Sequence, residues 1–184
     1  MKGVVFTEFL EMVESRFSEE MVEELLGSCD LASGGAYTSI GTYDHRELVA
    51  LVGALSEKTG TPASALVHEF GRHLLRRFTA GFPVFFTAAR DTFGFLGRVE
   101  GYVHTEVRKL YEDAELPTFE CSPVVDGRMD MVYKSGRGFA DLAHGLIEAT
   151  AEHYGDAIAV DVEDLSGGAR THVRFRLRKL QPPE

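Results

Sequence analysis

The chain has 184 residues, of which 44% are hydrophobic and 26% are charged, proportions that fit one globular domain with a hydrophobic core. Its formal net charge of -10 at pH 7 argues against a nucleic-acid partner and against an anionic membrane surface, because both require a basic face. No apolar run approaches the roughly 20 residues that span a bilayer, so no membrane partner is expected.

The first part of the chain is predicted to be helical. An amphipathic face over residues 6–17 marks a first helix. Ser18 is a suitable N-cap for a short second helix, and Gly27 is expected to end it. Residues 28–42 are polar and rich in glycine, which predicts a loop. A third helix closes near Gly60, and a fourth carries four apolar residues at helical spacing: Leu66, Phe70, Leu74 and Phe78.

The stretch GFLGRVEGYVH lies in a further predicted helix, from about residue 91 to 111. Gly94, Gly97, Gly101 and His104 follow one another by three, four and three residues. At about 100° per residue these four residues would share one arc of the helix surface. Each glycine inside a helix destabilises it by roughly 0.5–1 kcal/mol relative to alanine. We therefore expect a bare strip of backbone with an imidazole at its end. Such a strip suits a flat ligand, and close helix–helix packing is the alternative interpretation.

After Pro117 the hydrophobic pattern changes from helical to alternating. The stretches TFECSPVV and RMDMVYKS flank Asp126-Gly127, which predicts a β-hairpin. A second hairpin is predicted around Gly167-Gly168, and a helix with an apolar face lies between the two hairpins. The expected fold is α+β, with N-terminal helices followed by a small antiparallel sheet of two hairpins and an intervening helix.

The seven histidines and two cysteines give few metal-binding signals. Six histidines share no metal-ligand spacing and are expected to be surface or hydrogen-bonded side chains: His45, His68, His73, His144, His153 and His172. Cys29 and Cys121 stand far apart, so neither a disulfide framework nor a thiolate zinc site is predicted, and a reducing cytoplasm is the expected location. His104 differs, because a single imidazole beside a flat ligand is typical of an axial haem ligand; a structural role is the alternative.

The pentapeptide YKSGR, residues 133–137, is a candidate carboxylate site. If the strand continues through it, Tyr133, Ser135 and Arg137 point to one side. Two hydroxyls and a guanidinium suit carboxylates, and haem carries two propionates. An ordinary strand end with a surface arginine is the alternative.

The chain resembles the haem nitric oxide/oxygen binding family (H-NOX), a module also found in soluble guanylate cyclase, over essentially its whole length. VHTEVRKLYEDAELP is similar to the family's proximal-histidine segment, and YKSGR matches its Tyr-x-Ser-x-Arg signature. The resemblance implies haem b as cofactor, with His104 as the axial iron ligand. It implies that Tyr133, Ser135 and Arg137 bind the propionates and that Pro117 packs against the porphyrin.

The resemblance also identifies the distal side of the haem, where the matching positions Phe9, Leu74 and Leu142 are all apolar. Phe78 and Leu146 are further expected cofactor-binding residues. Some relatives retain oxygen through a tyrosine at the position of Leu142. Some bacterial relatives hold zinc with cysteines, and Ala140 and Leu142 stand where two of them are expected. The resemblance therefore implies no structural zinc and no stable oxygen complex.

The function implied by the resemblance is that of a bacterial stand-alone gas sensor and not of an enzyme. Nitric oxide and carbon monoxide are the expected ligands of the ferrous haem. A histidine kinase or a diguanylate cyclase/phosphodiesterase is the expected partner. Residues 1–184 are expected to form one sensor domain, with a helical subregion over about 1–60 and a haem-binding remainder over about 61–184. A haem enzyme such as a peroxidase, and a haem-free interaction domain, are the alternatives.

Overall fold

The computed structural model describes residues 1–180, and its first part consists of helices. The hydroxyl of Ser18 accepts the N–H of Met21 at 3.2 Å, which confirms the predicted N-cap. Gly60 closes the third helix in the left-handed conformation, as predicted, with φ of 69°. Residues 29–44 hold neither helix nor strand, apart from an isolated bridge at Thr42. The helices are α1 (Gly3–Arg16), α2 (Glu19–Ser28), α3 (His45–Thr59) and α4 (Ala63–Gly81).

The helix predicted over residues 91–111 is not one regular helix. It consists of α6 (Thr92–Leu96), a π-helical turn (Val99–Val103) and α7 (His104–Leu110), and a short helix that the sequence did not predict, α5 (Pro83–Thr87), precedes it. The N–H of His104 donates to the carbonyl of Val99, five residues earlier. This wider turn changes the angular phase of the helix, so Gly94, Gly97 and Gly101 no longer lie on the same arc as His104.

The glycine strip predicted to end in His104 is therefore not formed. Gly94, Gly97 and Gly101 are exposed to solvent, whereas His104 is buried. A Cβ atom added at Gly101 would meet no other atom within 4 Å. The three glycines thus are not buried together with the imidazole.

Both predicted hairpins are confirmed, and together they form one antiparallel sheet with the strand order β1-β2-β4-β3. In the first hairpin, Asp126 and Gly127 both have positive φ, of 49° and 68°, as a tight hairpin turn requires. The predicted intervening helix is α8 (Ala140–Tyr154). The strands are β1 (Thr118–Cys121), β2 (Arg128–Lys134), β3 (Ile158–Asp164) and β4 (His172–Lys179). The α+β class and the order of helices before sheet are confirmed.

Two hydrophobic clusters form the core. A helical cluster lies among α1 to α4, and a sheet cluster lies between the sheet and α8. Phe78 of α4 and Leu146 of α8 pack against both clusters, so these two helices join the halves of the fold. Within residues 1–180, none of the helices combines the length and the apolar composition needed to cross a bilayer.

Helices α4 and α8 cross with their backbones in contact. A Cβ atom added at Gly71 of α4 would lie 2.2 Å from the carbonyl oxygen of Leu142. One added at Gly145 of α8 would lie 1.9 Å from the carbonyl oxygen of His68. Because real Cβ atoms do not approach so closely, both positions require glycine for this crossing.

Candidate functional site

His104 is the first residue of α7 and directly follows the π-helical turn. Only 8% of its surface is exposed. Its Nδ1 atom lies 3.1 Å from Oε2 of Glu100, four residues earlier. The same carboxylate accepts the backbone N–H of Phe119 at 3.1 Å and the guanidinium of Arg108 at 3.2 Å. Glu100 therefore holds the imidazole in a fixed orientation against the start of the sheet.

The electrostatics of this pair favour a neutral imidazole. Burial lowers the pKa of His104, and the nearby carboxylate only partly opposes this effect. Burial alone would raise the pKa of Glu100, but hydrogen bonds from Phe119, Arg108 and His104 lower it overall. An ionised carboxylate can only accept, so Nδ1 of His104 carries the proton and Nε2 keeps its lone pair. A neutral histidine whose second nitrogen donates to a carboxylate is typical of metal ligands.

The YKSGR segment is a turn rather than a continuing strand. β2 ends at Lys134, so the predicted alternation of residues 133–137 along one strand is wrong. The N–H of Ser135 donates to Thr171, and its hydroxyl accepts the N–H of Arg137 at 3.3 Å. The buried hydroxyl of Tyr133 accepts a backbone N–H at 3.0 Å. Burial raises the pKa of Tyr133, and the Ser135 hydroxyl acts in the opposite direction. The turn thus brings the three predicted residues together.

The guanidinium of Arg137 already binds a carboxylate. It donates to the backbone carbonyl of Glu115 at 2.6 Å and forms an ion pair with the Glu115 side chain. The Arg137 side chain is only 14% exposed, whereas that of Glu115 is 81% exposed. The Glu115 carboxylate therefore stands where a ligand carboxylate would bind, and it is free to swing into solvent. This arrangement fits a cofactor with carboxylate side arms.

Strand β1 connects His104 to the YKSGR turn. The ring centroid of Phe119 lies 5.7 Å from that of His104 and 5.7 Å from that of Tyr133. Pro117 is partly buried and directly precedes β1. The imidazole, the aromatic ring and the phenol therefore lie in one row, and Pro117 comes just before the strand that carries the aromatic ring.

The five apolar positions lie in or against the helical cluster, on α1, α4 and α8: Phe9, Leu74, Phe78, Leu142 and Leu146. Phe78 and Leu146 also border the sheet cluster, against which Val99 and Val103 of the π-helical turn pack. The sheet cluster thus connects this apolar group to the segment before His104. A neutral imidazole, a carboxylate-binding turn and an apolar group match the parts of a haem site.

Two features were missed from the sequence. Glu100 stands four residues before His104, a spacing that places both side chains on one helix face and was available as a signal. His144 and Glu148 have the same spacing, and the fold places His68 of α4 beside them. That contact between His68 and His144 could not be predicted from the sequence, because it depends on how α4 and α8 cross.

Comparison with known proteins identifies relatives of the whole chain. The family model described as Haem-NO-binding matches residues 2–162. The unliganded Fe(II) H-NOX protein from K. algicida is 34% identical, with a TM-score of 0.94 and coverage of 100% of this chain and 99% of that chain. The IWP-051-bound H-NOX from Shewanella woodyi, in the Fe(II)CO ligation state, is 37% identical, with a TM-score of 0.83 and coverage of 98% and 95%.

A more distant H-NOX protein from S. oneidensis, solved in the Fe(II)NO ligation state, is similar in fold. Its identity is 22% and its TM-score is 0.91, and the match covers 98% of this chain and 100% of that chain. None of the curated proteins compared with the chain matches it.

Proposed function

Because the chain belongs to the Haem-NO-binding (H-NOX) family, we propose that it is a haem-based gas sensor that binds nitric oxide at ferrous haem b and regulates a separate signalling protein. The observation that carries this proposal is the buried, neutral His104, whose Nδ1 is held at 3.1 Å by Glu100. That arrangement directs the lone pair of Nε2 away from the hydrogen bond and makes it available to iron. In this proposal His104 is the metal ligand.

The haem propionates are bound by the YKSGR turn in this proposal. Arg137 has a planar fork of donors and needs only to exchange the exposed Glu115 carboxylate for a propionate. The hydroxyls of Tyr133 and Ser135 add donors beside it. Pro117, directly before β1, would pack against the porphyrin.

The apolar group sets ligand preference. When bound, ferrous haem supplies an iron atom that takes a diatomic ligand. The side chains of Phe9, Leu74 and Leu142 offer no hydrogen-bond donor, so they exclude water without stabilising negative charge on a bound gas. Nitric oxide and carbon monoxide need no such donor, which agrees with the family description and with the carbon monoxide complex of the Shewanella woodyi relative.

The proposed output is a change of shape that a second protein recognises. Residues 1–184 act as one sensor domain in the cytoplasm, and the net charge of -10 favours a basic docking surface on the partner. A histidine kinase or a diguanylate cyclase/phosphodiesterase fits this role. Catalysis of peroxide cleavage is not proposed, because it needs a polar acid–base pair and the five apolar positions provide none.

The purified protein should show the visible absorption of ferrous haem and should shift it on addition of nitric oxide. His104→Gly should lose haem, and added imidazole should restore it. The control His73→Ala removes a histidine that pairs with Glu8, 3.2 Å away on α1, and should keep haem. A purified wild-type protein that takes up no haem would reject the proposal and favour a haem-free interaction domain.

A further inference from the structure

A second group of potential metal ligands lies where α4 crosses α8. His68 of α4 places its Nε2 atom 3.1 Å from Oε2 of Glu148, and His144 places its Nε2 atom 3.3 Å from Oε1 of the same carboxylate. One ligand atom from each of the three residues lies within 4.8 Å of the other two. We propose that His68, His144 and Glu148 bind a divalent metal ion, with zinc as the cation that fits best.

The strongest local sign is an unsatisfied nitrogen. Nε2 of His144 is buried from solvent and makes no hydrogen bond, although Glu148 is close to it. Buried polar atoms in folded proteins nearly always have a partner, and a bound ion is one recognised explanation of an exception.

The separations suit zinc. Two imidazoles and one carboxylate are a known zinc ligand set, with bonds of about 2.0–2.2 Å and a fourth position for water. In such a tetrahedron neighbouring ligand atoms are about 3.4 Å apart. The two imidazole nitrogens lie 3.1 and 3.3 Å from different oxygens of Glu148, so the carboxylate has to turn for one of its oxygens to face both. The imidazole rings are 4.8 Å apart at an interplanar angle of 70°, so a small rotation of the side chains completes the set.

The surrounding charges permit a cation. Arg72 lies 3.3 Å from Glu148 and also pairs with Glu69 and Glu152. Arg170, the other positive group near His144, pairs with Asp141. Arg72 therefore retains its ion pairs with Glu69 and Glu152 when the Glu148 carboxylate turns toward the metal. Three carboxylates around one guanidinium leave this part of the surface negative, which favours binding of a divalent ion.

The location of the site indicates that a bound metal ion would link α4 and α8. Gly145, beside His144, packs directly on the backbone of His68. A metal ion held by both helices would therefore strengthen the crossing that joins the two halves of the fold. This site is distinct from the haem-binding residues, and the inference does not depend on the proposed gas sensing.

The test uses the full chain as purified, stripped of loosely bound metal with a chelator and dialysed against micromolar zinc. We expect one zinc ion per chain, measured by elemental analysis. Zinc-edge X-ray absorption should show nitrogen and oxygen ligands with two imidazoles. His68→Gln, His144→Gln and Glu148→Gln should each weaken zinc binding by at least about 100-fold, since even changes behind a ligand cost 10–100-fold.

The matched control is His153→Gln, which removes an exposed histidine from the same helix, α8, and should keep full zinc binding. Zinc should raise the melting temperature of the wild type and of this control, but not that of Glu148→Gln. The Gln variants keep similar shape, and circular dichroism checks their folding. The proposal would be overturned if the wild type took up no zinc in a saturable way, or if the three variants took up as much zinc as the wild type. Sulfur ligands in the X-ray absorption spectrum would also overturn it.

Discussion

Glu100 holds His104 and Phe119 with the same carboxylate oxygen, Oε2, at 3.1 Å from Nδ1 of the imidazole and 3.1 Å from the backbone nitrogen of Phe119. One side chain therefore sets the orientation of the imidazole relative to β1. A carboxylate behind a metal-bound imidazole also increases the basicity of the ligand. Glu100 is thus a positioning residue for the proposed iron ligand.

Replacing Glu100 should weaken the bond between His104 and iron without removing haem. In Glu100→Gln, the amide keeps the geometry but accepts a weaker hydrogen bond, so Nε2 donates less electron density. Resonance Raman spectroscopy should show a lower iron–histidine stretching frequency, and haem should dissociate about 10–100-fold faster. Glu106→Gln, which removes only an ion pair with Lys109 on α7, should leave both values unchanged. An unaltered stretching frequency in Glu100→Gln would contradict this role.

If a propionate replaces Glu115 at Arg137, substitutions of Arg137 should weaken haem retention, whereas substitution of Glu115 should not. Arg137→Ala should weaken haem retention by at least about tenfold, because a charge-assisted hydrogen bond contributes roughly 1.5–3 kcal/mol. Arg137→Lys should restore only part of the loss, since an ammonium cannot form the planar fork.

Glu115→Gln is the informative partner variant, because it removes the competing charge and should retain haem at least as well as the wild type. Haem transfer to an excess of apomyoglobin measures all of these variants. Equal transfer rates for Arg137→Ala and the wild type would show that the YKSGR turn does not bind the propionates.

Because α4 and α8 cross closely, replacing glycine by alanine should lower the free energy of unfolding at the crossing but raise it elsewhere. Gly145→Ala should destabilise the protein by about 1–3 kcal/mol, because the new methyl group overpacks against the His68 carbonyl. Gly53→Ala lies in α3, where an added Cβ meets nothing within 4 Å, and should stabilise by about 0.5–1 kcal/mol. Urea unfolding of the two variants measures the difference. If the Gly145→Ala and Gly53→Ala variants were equally stable, close backbone contact between α4 and α8 would not require glycine at position 145.

Local signals account for what was predicted of the fold. Asp126-Gly127 predicted its hairpin because few residue pairs adopt positive φ together, and Ser18 predicted its helix start through one hydrogen bond. The π-helical turn before His104 was not predictable, because Val99 and Val103 are held there by packing against the sheet cluster. The meeting of His68 with His144 likewise depends on tertiary structure. His104 and the YKSGR residues were candidates from spacing and side-chain chemistry, and family motifs assigned them to haem; their roles are predictions.

The apolar group leads to the last prediction, which concerns the choice between gases. Oxygen bound to ferrous iron gains partial negative charge on its outer atom, and a hydrogen-bond donor in a dry pocket stabilises that charge strongly. Leu142 packs against the helical cluster that contains Phe9 and Leu74, and none of these side chains can donate. We therefore expect stable complexes with nitric oxide and carbon monoxide and no stable oxygen complex in air, as judged from visible spectra.

Leu142→Tyr tests whether a missing donor is the reason. The phenol should give measurable oxygen binding, and Leu74→Asn in the same chain should increase it by orienting the hydroxyl. Leu142→Phe is the control, because it adds the ring without the donor and should not bind oxygen. Nitric oxide affinity should change little in all three variants, since that ligand needs no donor. If Leu142→Phe bound oxygen as strongly as Leu142→Tyr, the shape of the pocket rather than hydrogen bonding would govern the choice of gas. A wild-type protein with a long-lived oxygen complex would contradict the prediction directly.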